Sequence, residues 1–110
     1  CVVIGFSQGS MMAMHLAPRR KEQLGGIVCI SGALITGDTL ATEMESSPPS
    51  VLIHGANDLV VDCSNSKQAA AFLQQVGIKS EVHILPDLGH SIDLRGVSLI
   101  TDFLHCVFAL

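Results

Sequence analysis

Charge is scarce in this sequence of 110 residues: 15% are Asp, Glu, Lys or Arg, against about a quarter in ordinary globular chains. A disordered chain combines high charge with few apolar residues. Here 48% of residues are apolar, which excludes disorder. Basic residues are the scarcer sign, 6 against 10 acidic, for a net charge of −4 and a pI near 5.6. That excludes the basic face of a nucleic-acid binder. Every apolar run is broken by Gly or Ser well short of the roughly 18 residues of a membrane span, so no stable membrane insertion is expected. Cys1, Cys29, Cys63 and Cys106 form no C-x-x-C pair. Their spacing suits neither a zinc site nor a disulfide framework. They are expected to be small buried hydrophobes of a reducing, cytoplasmic compartment. Signal-peptide pattern, internal repeat and low-complexity tract are also missing. So is an initiator Met: the chain opens at Cys1 and runs straight into Val2-Val3-Ile4. A small domain has much surface for its core, yet mean hydropathy here is +0.49. Both oddities lead to the expectation that residues 1–110 are part of a larger domain whose N-terminal half is absent.

What is present alternates between strand and helix signals. Val2 to Phe6, Gly26 to Ala33, Val51 to His54 and Glu81 to Leu85 are short apolar runs, as in strands buried on both faces. Gly9 to Ala17 reads as a helix stopped at Pro18, with Arg19, Arg20 and Lys21 as a solvated helix end. Ala69, Phe72, Leu73 and Val76 fall at helical spacing, with Gly77 where a C-terminal cap belongs. Val97 to Phe108 reads as a closing helix, with Val97, Ile100, Phe103, Leu104 and Val107 on its apolar side. Thr36 to Ser50 is polar, with Gly37, Pro48 and Pro49, and reads as a loop or lid. The sum predicts an α/β fold, a parallel sheet flanked by helices.

Gly5-Phe6-Ser7-Gln8-Gly9 is a G-x-S-x-G pentapeptide with a strand before it and a helix after it. In that context the serine sits on a strained turn that lifts its hydroxyl above the sheet edge, and glycines two residues either side avoid Cβ clashes. A serine hydroxyl needs a base, and the base an acid to orient it. Asp58 follows the third strand in His54-Gly55-Ala56-Asn57-Asp58. His90 follows the fourth in Pro86-Asp87-Leu88-Gly89-His90. The order Ser, Asp, His is that of α/β-hydrolases, and all three stand at carboxyl ends of strands, where open parallel sheets gather their active groups.

Rivals are weaker. His15 and His105 lie on helices and are expected to be solvated. His83 is inside a strand and faces one side of the sheet. His54 precedes the acid and is expected to hydrogen-bond locally. Asp62 is placed to cap the following helix, and Asp87 to sit in a turn. One oxyanion donor is expected from the backbone N–H of Gln8. The second should come from a loop after an earlier strand, and none precedes Val2. Losing one such donor costs a hundred- to thousandfold in rate, about 2.7–4 kcal/mol, so these 110 residues alone are expected to be catalytically crippled.

Gly5-Phe6-Ser7-Gln8-Gly9-Ser10-Met11-Met12-Ala13, His54-Gly55-Ala56-Asn57-Asp58 and Leu88-Gly89-His90-Ser91-Ile92 resemble the phospholipase/carboxylesterase family, which includes the acyl-protein thioesterases. The resemblance spans nearly the whole chain and only the C-terminal half of the family's α/β-hydrolase domain. It implies Ser7 as nucleophile, Asp58 as acid, His90 as base and Gln8 as an oxyanion amide, acting on esters or thioesters with no metal and no cofactor. Ser10 stands where the family commonly has Gly or Ala, and the Pro that the family often carries near position 62 is Asp62 here. The strand Val2–Phe6, interior in the family, is expected to be a bare edge that invites pairing, with a second copy of the chain or the missing N-terminal half.

Overall fold

The two central strands are buried along their whole length, as parallel strands flanked by helices on both sheet faces are. The computed structural model describes residues 1–35 and 37–108. Its elements are β1 (Val2–Phe6), α1 (Gln8–Leu16), a 3-10 turn (Ala17–Arg19), β2 (Gly26–Ile30), α2 (Gly37–Glu43), β3 (Ser50–Gly55), α3 (Ser64–Gln75), β4 (Ser80–Leu85) and α4 (Leu94–Phe108). The four strands form one parallel sheet in the order β1-β2-β3-β4.

The two-residue period of a strand sends alternate side chains to opposite layers. Ile27, Cys29 and Leu52 pack with Ala13 and Met14 of α1, Leu40 of α2, and Ala69, Ala70 and Leu73 of α3. Val28, Ile30, Val51 and Ile53 pack on the other face with Leu85, Leu88 and, from α4, Leu99, Ile100 and Phe103. At the carboxyl rim, each turn is pinned to the neighbouring strand. Ser7 N–H donates to Ile30 O (2.8 Å), Ser31 N–H to Ile53 O (2.8 Å) and Ala56 N–H to Leu85 O (2.9 Å). Three loops distant in sequence are thereby drawn to one edge.

Four expectations need correction. The polar stretch from 36 to 50 is not wholly irregular: α2 occupies Gly37–Glu43, and Thr36 lies outside the described residues. One buried side chain, Leu40, anchors this helix, while Arg19 bonds Glu43 and Thr39 from across the 3-10 turn. A single apolar anchor leaves no periodicity to read. The second strand stops at Ile30 rather than Ala33, because Ser31 turns into the left-handed region at φ 56°. The last helix begins at Leu94, and its apolar side packs as expected at Ile100 and Phe103 but not at Val97, which is 49% exposed, while Gly96 is buried. Finally, only Cys29 among the four free cysteines is buried; Cys1 and Cys106 are exposed. Burial pushes the Cys29 thiol far up, which leaves it inert.

Candidate active site

Ser7 owes its position to two close approaches. Its backbone is at φ 55°, ψ −117°, a conformation that costs an L-residue on the order of 1–3 kcal/mol and persists only where its surroundings enforce it. Enforcement comes from its N–H, held by β2, and its carbonyl, which accepts the Ser10 hydroxyl (2.6 Å) and the N–H groups of Ser10 and Met11 (3.1 Å each). A Cβ on Gly5 would stand 2.5 Å from the Gly9 carbonyl, so the strand can approach the helix only as glycine. The matching argument for Gly9 fails: a Cβ there meets no atom within 4 Å. The Gly9 Cβ position points away from the packed side of the turn, whereas that of Gly5 points at the helix start. Ser10, the departure from the family pattern, is fully buried, and its hydroxyl fills the space that Gly32 leaves open.

The same logic joins the loops of the other two residues. A Cβ on Gly55 would lie 2.3 Å from the carbonyl oxygens of Leu88 and Gly89, so the acid loop and the histidine loop touch only because residue 55 is glycine. Asn57 N–H seals the contact by donating to Leu88 O (2.9 Å). Asp87, the turn residue, adopts φ 60°. Asp62 accepts from Ser64 N–H (2.9 Å) at the start of α3, the capping role expected of it. The Ser64 hydroxyl and amide together hold its carboxyl below the ordinary range.

These constraints bring Ser7, His90 and Asp58 together. Ser7 Oγ lies 3.0 Å from His90 Nε2, and His90 Nδ1 lies 2.7 Å from Asp58 Oδ2. A carboxylate can only accept, so Nδ1 carries the hydrogen and the Nε2 lone pair faces the serine hydroxyl. Asp58 is buried. Burial pushes its carboxyl up, but the His90 N–H and the amides of Val61 and Val60 outweigh it and hold it below the usual range. Those two amides both donate to Oδ1 at 2.8 Å. Gln8 opens α1 directly after Ser7, in the first turn, where helix N–H groups have no intrahelical acceptor and the dipole favours negative charge. This arrangement can draw a proton from an alcohol and stabilise charge developing beside it.

Three neighbours escape a reading by motif alone. Phe6 packs its ring 5.0 Å from that of His90. Gly55 sets the loop contact. His54 is fully buried and reaches Asp58 as well as its local partners; the i, i+4 spacing of His54 and Asp58 was its only signal. Of the other rivals, His83 sits beside Glu81 on β4 (3.4 Å), and His105 is exposed on α4. Among the described residues no three His, Cys, Asp or Glu side chains are arranged to hold a metal ion, and no helix is long and apolar enough to cross a membrane. A cavity of about 770 Å3 lies at the opposite end of the strands, lined by Gly25, Pro49, Lys79 and Asp102 among others, and touches none of Ser7, Asp58 or His90.

Known proteins share this arrangement of sequence and fold. The chain is 32% identical over 95 residues to acyl-protein thioesterase 1 of Gibberella zeae, covering 82% of this chain and 40% of that protein. It is 30% identical over 93 residues to lysophospholipase-like protein 1 of Mus musculus, covering 81% and 39%. The crystal structure of esterase PE8 superimposes with a TM-score of 0.94 at 38% identity, over 96% of this chain and 49% of that one. The chain thus spans about half the length, or somewhat less, of the proteins it resembles. A model of the phospholipase/carboxylesterase family matches residues 1–108, and the chain belongs to that family.

Proposed function

We propose that this protein hydrolyses carboxylic esters or thioesters through an acyl-enzyme, with Ser7 as nucleophile, His90 as general base and Asp58 as the group that orients it. The observation that carries the reading is the continuous run of hydrogen bonds from Ser7 Oγ through the His90 ring to Asp58, at 3.0 and 2.7 Å. In this scheme His90 Nε2 takes the hydroxyl proton as Ser7 Oγ bonds to the acyl carbon. The same nitrogen then returns the proton to the departing alcohol or thiol. Water repeats the cycle to free the acid. The buried, ionised Asp58 holds the Nδ1–H tautomer and stabilises the imidazolium. The Gln8 amide receives the oxyanion. Family membership supports an ester hydrolase, and relatives named as a thioesterase and as a lysophospholipase-like protein support the breadth of the substrate class.

Ser7→Ala, made in the protein expressed from its whole gene, tests the reading. Hydrolysis of a chromogenic short-chain ester should drop by about four to six orders of magnitude, and covalent labelling by a serine-directed phosphonate should vanish. Labelling that survives the substitution overturns the assignment. A second reading rests on β1, whose Ile4 is 53% and Phe6 45% exposed at the edge of the sheet. It holds that these 110 residues gain full activity only in association.

A further inference from the structure

We propose that His54 is a positioning residue for Asp58, a second imidazole that holds the carboxylate and its loop in register for His90; the proposal rests on the ester-hydrolase reading above. His54 is fully buried near the end of β3, and a buried ring must have both nitrogens satisfied. Nδ1 lies 2.6 Å from the Ser66 hydroxyl of α3. Nε2 lies 2.7 Å from the Val61 carbonyl and 3.2 Å from Asp58 Oδ2. A carbonyl only accepts, so Nε2 carries a hydrogen. The ring therefore ties α3 to the Val61 peptide, and the Val61 N–H, with that of Val60, holds Asp58 Oδ1. The same Nε2–H edge brings positive potential to Oδ2, the oxygen that accepts from His90.

Asp58 thus stands between one imidazole that is locked and one that moves a proton. The other groups around the pair are few. Ser66 faces His54 from α3, His90 faces Asp58 from the loop after β4, and the exposed Asp62 is the further charge that His54 influences. Removing the Nε2–H should loosen the Val60–Val61 turn, whose two amides hold Asp58 Oδ1, and so let the carboxylate drift from His90 Nδ1.

The test compares kcat and KM on a chromogenic ester for His54→Leu, His54→Gln, Ser7→Ala and the unaltered protein from its whole gene, with phosphonate titration counting folded sites. A misplacement of about 1 Å is enough to cost on the order of a hundredfold. That loss is expected in kcat for His54→Leu, with KM within about twofold. His54→Gln, whose amide N–H falls near the position of Nε2, should recover at least about tenfold of it. A His54→Leu protein with unaltered kcat per titrated site overturns the proposal. Should that variant fail to fold, His54→Gln and 15N NMR of the unaltered ring decide: a hydrogen on Nε2 supports the proposal and a bare Nε2 overturns it. Turnover that survives Ser7→Ala sinks the ester-hydrolase reading. Turnover abolished there but untouched in the His54 variants sinks this inference alone.

Discussion

Asp58 must be buried and ionised at once, and each of its partners answers one side of that conflict. Desolvation raises its carboxyl; the His90 N–H and the Val61 and Val60 amides more than reverse the rise. A carboxyl held lower in the folded state than in the unfolded chain contributes stability above its unfolded value, about 3.9, and loses it as pH falls through the folded value. The unfolding free energy of the unaltered protein should therefore exceed that of Asp58→Asn by a constant margin at neutral pH. Below about pH 4 the margin should shrink. Urea titrations at several pH values check this, and a margin that is flat down to pH 3 contradicts it. The residues themselves were legible: Ser7, Asp58 and His90 could be selected by type, order and place after strands. Phe6 against His90 could not, because nothing in a one-dimensional pattern says which side chains from separate strands share a rim; His54 against Asp58 offered only its i, i+4 spacing, which does not say that both side chains are buried.

At the scale of elements, α3 supports the rim through its packing on one face of the sheet. Ala69 and Ala70 are small enough to let it lie close on the sheet, and Leu73 is fully buried between α3 and β3 neighbours such as Leu52. Its first turns carry Ser66, the partner of His54. Leu73→Ala should cost about 2–5 kcal/mol of stability through lost transfer energy and a residual cavity. Gln68→Ala, on the exposed side of the same helix, should stay within about 0.5 kcal/mol. Denaturant midpoints measure both, and equal effects would contradict this packing. Strong periodicity made α3 readable, since four apolar positions repeat at helical spacing. α2 was not readable, because a single buried leucine anchors it and its bonds to Arg19 span 20 and 24 residues. On α4 the apolar side was readable at Ile100 and Phe103 and not at Val97, for a related reason. Gly96 lets the helix close on Ile92 and Ile53, which turns Val97 outward, and a glycine contributes nothing to an apolar tally.

For the whole molecule the decisive feature is an unpaired edge. β1 bonds only to β2 among the described strands, with Ile4 and Phe6 half exposed and Met12 and Leu16 exposed on the helix that follows. Open edges with apolar side chains recruit further strands. The 110-residue chain expressed by itself should therefore sediment at micromolar concentration as a species heavier than its 11.6 kDa. Ile4→Lys with Phe6→Lys should shift it toward the monomer. A clean monomer of the unaltered chain would remove the edge as a site of association.

Composition, order of elements and the residues of the candidate site were all determined along the chain, since each depends on which residue types follow one another: apolar runs make strands, a Gly-Ser-Gly turn makes an elbow, and Asp58 and His90 come after later strands. Tertiary structure alone decided what those loops touch. Ser7, Asp58 and His90 lie 32 to 83 residues apart, and their meeting depends on three turns pinned to neighbouring strands and on Gly55 allowing two backbones to approach. The second imidazole on Asp58 arises the same way: burial and distance are properties of packing, and spacing in sequence does not contain them.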